Sequence, residues 1–328
     1  MYARRSRFDP LCKLLVLLVG LSLLLAGCRP TQATPAAGQS ALQGTIRVSG
    51  AFALYPMMQR WAEEFTKLHP QVRLDVSAGG AGKGMTDALG GLVDLGMISR
   101  EIAPDEIQKG AVFVPVVKDT VVVIINAGNP ERQALAARGV KRQTLVDLWM
   151  KGAPLTWGDI AGTPSQEAVQ LYTRSDSCGA ADTWAKYLGG KQEDLKGTGV
   201  FGDPGIAEAV AKDTFGIGYS NLNYAYDAVS GKPAAGLAVL AIDVNQNGQI
   251  DPAEQLDTKA QTIQAILAGV YPSPPSRDLY LVTKGQFSGL TLEFVRWVLT
   301  DGQRYVEEAG YLKLPQETID AAIRKLAP

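Results

Sequence analysis

From residue 45 onward, short apolar segments alternate with amphipathic ones. The run 45–50 predicts a strand, and in the segment 57–68 Met58, Trp61, Ala62 and Phe65 recur at helical spacing. The same patterns predict further strands at 72–76, 93–100, 112–117, 120–126, 168–172, 216–220, 237–242 and 279–282. Further helices are predicted at 85–89, 144–150, 182–188, 203–212, 262–267, 290–299 and 316–326. Strands that alternate with helices of about ten residues indicate an α/β fold with largely parallel sheets.

Three loops lie between a predicted strand and a predicted helix, at 50–53, 78–84 and 174–181. Ligands of α/β folds collect at the carboxyl ends of strands, where helix N-termini offer free N–H groups to anions. Arg174 adds a fork of donors suited to an oxyanion, and glycines in the second loop allow the backbone to curl into an anion nest. Each loop alone could be an ordinary helix cap or a glycine-rich connector without a ligand. Three such loops together favour anion binding.

The N-terminus has the pattern of an export signal. Basic residues precede an apolar run at 14–26 that is short for a membrane span, and the run ends in Leu25-Ala26-Gly27-Cys28. This ending looks like a bacterial lipobox, although a simple secretory signal that contains Cys28 is the alternative. We therefore expect a signal peptide at 1–27, a lipid on Cys28, and a flexible tether at 28–43. The protein would then sit in the cell envelope, anchored by that lipid to a membrane and facing the periplasm or the exterior.

Composition excludes several classes of function. The formal net charge of the 328-residue chain is −1, so it has no electrostatic footprint for nucleic acid. His69 is the only histidine and precedes Pro70 at a predicted helix end, which argues against a Ser-His-Asp triad or a histidine-rich metal site. Cys178 is the only thiol left after Cys12 is removed with the signal and Cys28 is lipidated, so no internal disulfide is expected.

A second motif lies at 243–254. It fits the twelve-residue Ca²⁺ loop D-x-[DN]-x-[DN]-G-x5-E at every constrained position. The predicted ligands are the side chains of Asp243, Asn245 and Asn247, the backbone carbonyl of Gln249, Asp251 through water, and Glu254. The preceding segment is predicted to be a strand, so a paired helix–loop–helix sensor is not expected. The alternative is a turn without metal.

Several segments in order carry a family likeness: residues 50–56, 79–84, 94–100, 148–160, 174–180 and 216–219. Together they resemble the phosphate-binding proteins of ABC transporters, in the periplasmic-binding-protein-like class, over roughly residues 44–315. The resemblance implies a type II, two-lobed α/β fold with mixed sheets, flanking helices and two hinge crossings. It places lobe I at 44–122 plus 275–328 and lobe II at 123–274, with the Ca²⁺-loop-like insert in lobe II. It also implies a monomeric receptor without catalytic activity or catalytic cofactor, which delivers its ligand to a membrane permease.

By the same resemblance, the ligand contacts fall on Phe52, Ala53, Ala81, Arg100, Arg174, Cys178, Gly179 and Ala180. The family commonly places hydroxyl residues where Phe52, Ala81, Cys178 and Ala180 stand. Either other residues, such as Ser49, Ser99, Ser177 or Tyr55, supply the hydroxyls, or the ligand differs. Some relatives have an aspartate at the position of Arg100 that accepts the proton of hydrogen phosphate, and an arginine cannot accept it.

Phosphate is therefore the first ligand hypothesis, and a different oxyanion of the sulfate, molybdate or tungstate class is the second. A third hypothesis, from another class, is a Ca²⁺-stabilised extracellular interaction module whose cleft has lost its solute. A hydrolase is the weakest, because the sequence shows no histidine base and no GxSxG elbow.

Overall fold

Nine strands form the centre of the computed structural model, which describes residues 41–326. The strands are β1 (Gly44–Gly50), β2 (Val72–Ala78), β3 (Leu95–Ile98), β4 (Ala111–Asn126), β5 (Gln170–Arg174), β6 (Thr198–Val200), β7 (Gly216–Asn221), β8 (Leu237–Leu240) and β9 (Ser276–Lys284). The predicted signal peptide, Cys28 and nearly all of the predicted tether lie outside the described residues.

Helices pack around these strands. They are α1 (Tyr55–Leu68), α2 (Ala81–Leu89), α3 (Pro104–Gln108), α4 (Arg132–Arg138), α5 (Arg142–Trp149), α6 (Trp157–Ala161), α7 (Gly179–Leu188), α8 (Gly202–Lys212), α9 (Leu222–Ala225), α10 (Lys259–Leu267), α11 (Gly289–Leu299) and α12 (Gln316–Lys325). Short 3₁₀ turns lie at Phe52–Leu54, Gln192–Asp194 and Asp301–Tyr305. Within residues 41–326, no helix has the length and apolarity that a membrane crossing needs.

The strand order is β2-β1-β3-β9-β4-β7-β5-β6, with β8 also paired to β4. Parallel pairs lie towards the two ends, where β1 joins β2 and β3, and β5 joins β6 and β7. The centre is antiparallel, because β9 pairs with β3 and β4, and β4 pairs with β7 and β8. The mixed sheets implied by the family resemblance are present, whereas the largely parallel arrangement expected from the alternation of elements is wrong at the centre.

Strand β4 is continuous, although the sequence predicts two strands there. Lys118 and Asp119 interrupt the apolar pattern, but Lys118 exchanges backbone hydrogen bonds with Leu312 and forms an ion pair with Asp278 at 2.7 Å. Asp119 lies opposite Arg277 of β9. The polar residues therefore mark a change of partner strand rather than a turn: β4 pairs with β9 up to Thr120 and with β7 from Val121.

Two hydrophobic cores lie on either side of this change of partner. The first contains Trp61, Phe65 and Phe294, and the second contains Trp149 and Trp184. Along β4 the first core ends at Val117 and the second begins at Val121; on the return, Tyr271 belongs to the second core and Leu279 to the first. We call the parts built on these cores the first and second core regions. The lobe boundaries given above remain predictions.

Candidate functional site

Arg174 ends β5 and points into the interior, where its side chain is 1% exposed. Its Nε and Nη2 atoms donate to the Asp176 carboxylate at 2.8 and 2.6 Å, and Nη1 donates to Asp203 at 2.6 Å. Burial opposes the charge, but Asp203 and its neighbours hold the pKa of Arg174 above its ordinary value. Three of the five guanidinium N–H groups are thus engaged, which leaves two for a ligand oxygen.

The loop after Arg174 opens into the N-terminus of α7. Cys178 is the N-cap residue, and its Sγ accepts the N–H of Ala181 at 3.4 Å. Burial raises the pKa of this thiol to about 12, so it stays protonated and acts as a cap rather than a nucleophile. The N–H groups of Gly179 and Ala180 have no acceptor within the described chain. They are free donors at the positive end of a helix dipole.

The glycine-rich loop before α2 lies directly against the Arg174 loop. Gly82 donates its N–H to the carbonyl of Ser177 at 3.1 Å. Gly80 has φ +90°, and a Cβ there would lie 2.8 Å from an Asp176 carboxylate oxygen. Helix α2 begins at Ala81, four residues before the predicted start, because Gly80 makes the turn that the helix needs. The absence of side chains lets the two core regions touch through backbone.

The Phe52–Leu54 turn closes another side of the site. The Phe52 ring lies 5.5 Å from the guanidinium carbon of Arg174, a cation–π contact. Tyr224 of the second core region donates to the Phe52 carbonyl at 3.2 Å, and Tyr311 donates to the Ala53 carbonyl at 2.7 Å. Where the family commonly has a hydroxyl, Phe52 therefore stacks on the arginine.

Arg100 is engaged elsewhere. Its guanidinium forms a bidentate pair with Glu106, at 2.9 and 2.6 Å, and also donates to the Glu101 carbonyl. The Glu106 hydrogen bond, opposed by burial, raises the pKa of Arg100. The hydrogen bonds of the Arg100 guanidinium thus go to the segment 101–106 and not to the Arg174 loop.

A row of buried polar side chains extends from Arg174 into the interior, and the sequence analysis does not predict them as site residues: Asp203, Asn221, Arg277 and Asp119. Asn221 donates to Asp203 at 2.7 Å, and Arg277 donates to the Asn221 side-chain oxygen. Arg277 also donates to the Ser99 carbonyl at 3.2 Å and pairs with Asp119 at 3.4 Å. The chain of polar contacts thus runs from Arg174 to the point where β4 changes partner. No local pattern signals it, because its members come from α8, β7, β9 and β4.

Asp119 lies at the inner end of these polar contacts. The residue is fully buried, its Oδ1 atom has no hydrogen-bond partner within residues 41–326, and burial raises its pKa to about 6 against the opposing charge of Arg277.

The loop 243–254 lies outside this site. Asp243 and Glu254 are buried, at 1% and 5% exposure, and Gly248 takes φ +81° as the motif requires. Asp243 accepts the N–H groups of Asn247 and Gly248, and Glu254 accepts those of Val244 and Asp251. Among residues 41–326, no three His, Cys, Asp or Glu side chains are grouped as a metal site.

Comparison with known proteins assigns the chain to a family. Residues 35–302 match the PBP superfamily domain. The chain belongs to the PBP superfamily. It is 27% identical to the phosphate-binding protein PstS of Pseudomonas aeruginosa, over 88% of each chain. It is also 24% identical to protein SphX of Synechococcus elongatus, over 87% of this chain and 82% of that protein.

Solved structures agree with this membership. A phosphate ABC transporter substrate-binding protein of Clostridium perfringens, crystallised with bound phosphate, superposes with a TM-score of 0.67 at 20% identity, over 83% of this chain and all of that one. A phosphate-binding protein described from Planctomyces limnophilus gives 0.55 at 25% identity, over 87% and 98%. The predicted PBP-like α/β fold is therefore confirmed. The family is one of transport binding proteins and not a family of enzymes.

Proposed function

We propose that this protein is the solute-binding component of an ABC importer, and that it binds phosphate between the Arg174 loop and the glycine-rich loop and delivers it to a membrane permease. The observation that carries the proposal is the pair of free N–H groups of Gly179 and Ala180 beside the buried Arg174. Relatives named for phosphate binding match nearly the whole chain.

Backbone donors explain how the site could work without the usual hydroxyls. A backbone N–H group is present whatever the side chain, and the proposed site has such groups at Ala53, Ala81, Gly179 and Ala180. Two N–H groups of Arg174 also have no partner among the described residues. Preorganised donors next to a helix N-terminus suit a tetrahedral oxyanion.

Calorimetric titration of the purified domain, residues 42–328, tests the ligand. Phosphate should bind and raise the melting temperature by mass action. Arsenate, sulfate, molybdate and tungstate form the comparison panel, so a tighter response to another oxyanion would replace phosphate with that ion. If none of the five ions binds, the anion proposal fails.

We propose two lobes that close on the anion, lobe I at 44–122 plus 275–328 and lobe II at 123–274. The division of the hydrophobic cores near residue 120 and between Tyr271 and Leu279 supports it. The lobes would hinge where β4 changes partner and where β9 returns.

We further propose that Cys28 carries the lipid anchor, on the basis of the Leu25–Cys28 motif. Membrane fractionation of cells that express the full chain tests it: Cys28→Ser should move the protein from the membrane to the soluble fraction. An unchanged distribution would refute the anchor.

We also propose a structural Ca²⁺ at 243–254. The buried carboxylates of Asp243 and Glu254 have no lysine or arginine ion-pair partner in residues 41–326, and the motif is complete. A chelator should lower the melting temperature of the wild type, and Asp243→Asn should remove this response without changing phosphate affinity. If chelator has no effect on the wild type, the loop is a metal-free turn. A chelator effect without any anion binding would favour the interaction-module hypothesis.

A further inference from the structure

Lys259, the first residue of α10, is a buried cation that has no ion-pair partner among residues 41–326. The residue is 6% exposed, and its ammonium contacts the side-chain oxygen of Asn223, the one hydrogen-bond partner it has within the described chain. Asp119 acts on it electrostatically but forms no ion pair with it, and burial lowers the pKa of Lys259. An ammonium has three N–H donors, so two of them have no acceptor within the described chain.

Asn223 has a matching deficit. Its Nδ2 atom is buried and has no well-formed hydrogen bond within residues 41–326, although the amide lies beside the Tyr311 hydroxyl and opposes the burial that raises the pKa of Tyr311. A buried donor without an acceptor costs about 1–3 kcal/mol, and an uncompensated buried charge costs more. Lys259 and Asn223 therefore both carry donors that lack good acceptors, and their proximity points to a ligand rich in acceptors.

Both residues stand beside the Phe52–Leu54 turn. Tyr224, the neighbour of Asn223 in α9, donates to the Phe52 carbonyl at 3.2 Å. Tyr311 donates to the Ala53 carbonyl at 2.7 Å, and the preceding Gly310 lies against the Lys259 side chain. Burial and the charge of Asp203 raise the pKa of Tyr224, and the charge of Arg174 opposes them, so this tyrosine lies within electrostatic range of the Arg174–Asp203 pair.

We propose that Lys259 and Asn223 are anion-binding residues of the cleft, and that they supply the charge and the side-chain donors that the hydroxyl-poor loops lack. In the described part of the chain, the two arginines along the cleft have carboxylate partners: Arg174 has Asp176 and Asp203, and Arg277 has Asp119. Lys259 is then the cation whose charge is open to a ligand. The inference rests on the proposed function and names two of its contacts.

The test is titration of phosphate into wild type, Lys259→Met and Asn223→Asp, with urea unfolding of each protein in the absence of phosphate. A hydrogen bond to a charged group predicts a loss of affinity of about 10- to 100-fold for Lys259→Met. Its stability without ligand should be unchanged or higher, because a desolvated charge is removed. Asn223→Asp gives Lys259 a carboxylate, so it should stabilise the protein and weaken phosphate binding at least as strongly. Lys212→Met removes an equal charge from an exposed ion pair with Glu208 and should bind as the wild type does.

Unchanged affinity in Lys259→Met or in Asn223→Asp, with a wild type that binds phosphate, overturns the inference and leaves the proposed function standing. If Lys259→Met loses stability together with binding, Asn223→Asp decides: a stable protein with weakened affinity supports the inference, and wild-type affinity refutes it. A wild type that binds no oxyanion means that the proposed function itself has failed.

Discussion

At the scale of single residues, Arg174 is held between two carboxylates that would be left unpaired without it. The Asp176 and Asp203 side chains are 7% and 2% exposed. Breaking such a buried pair by removing one partner typically costs about 3–5 kcal/mol. We therefore expect Arg174→Met to lower the free energy of unfolding by about that amount and to abolish phosphate binding. Urea denaturation without ligand measures the first effect and calorimetry the second.

Arg47→Met is the matched control, because Arg47 pairs with Asp94 on the surface, where its side chain is 52% exposed. It should leave both measurements near the wild-type values. Equal destabilisation of the two variants would contradict the role given to burial around Arg174.

Asp119 should give the protein a pH-dependent stability of unusual sign. Its pKa rises from 3.8 to about 6 on folding because burial disfavours the carboxylate. Between about pH 4 and pH 6 the folded protein holds the proton that the unfolded chain has released, so this residue's contribution to stability falls as pH rises and then levels off. A shift of this size corresponds to about 3 kcal/mol.

Asp119→Asn should remove this slope and be more stable relative to the wild type at pH 7 than at pH 4. Urea unfolding of both proteins from pH 4 to pH 7 measures the difference, in which the other titrating groups largely cancel. Parallel curves would show that Asp119 ionises normally in the fold.

The residues of the proposed anion site can be predicted from sequence only where a local pattern carries them. Arg174 and Gly179 lie in a loop between an apolar strand and a helix, and the residues next to them in sequence predict that loop. Asp203, Asn221 and Lys259 come from separate elements, and only the packing of α8, β7 and α10 brings them to the site. Arg100 is predicted as a ligand residue from the family resemblance alone, which does not indicate that Glu106 is its partner.

At the scale of elements, the approach of α7 to β3 depends on the missing side chain of Gly179. A Cβ on Gly179 would lie 2.1 Å from the carbonyl oxygen of Ser99, which is backbone of the first core region and cannot rotate away. We expect Gly179→Ala to separate the two regions and to weaken phosphate binding at least tenfold, while each hydrophobic core stays intact. Calorimetry gives the affinity, and thermal unfolding reports on the cores.

Gly205→Ala provides the comparison, because its Cβ would meet only a methyl group of Val200 within the same core region. This variant should bind phosphate normally. Wild-type affinity in Gly179→Ala would show that close contact at Ser99 is not needed for binding.

Strand β4 shows why element boundaries were harder to predict than element types. The apolar periods on both sides of Lys118 and Asp119 identify strands correctly, and the charged pair suggests a break. Tertiary partners override that suggestion, since Lys118 pairs with Asp278 and Asp119 contacts Arg277 on the neighbouring strand. The same cross-strand pairs make the centre of the sheet antiparallel, which no alternation of elements along the chain can specify.

At the scale of the whole molecule, both aromatic and polar contacts join the two core regions where the ligand would bind, among them the edge contact of the Phe52 and Phe201 rings at 5.8 Å. They include the Gly82–Ser177 hydrogen bond at 3.1 Å and the Lys186–Glu101 ion pair at 3.0 Å. Exposed pairs of the latter kind contribute little, so the closed arrangement should depend on the anion to join the loops. We expect small-angle scattering to show a larger radius of gyration without phosphate than with it. In Gly179→Ala the radius should stay at the open value when phosphate is added, because the Ser99 contact cannot form. Identical profiles for the wild type with and without saturating phosphate would mean that the protein binds without closing.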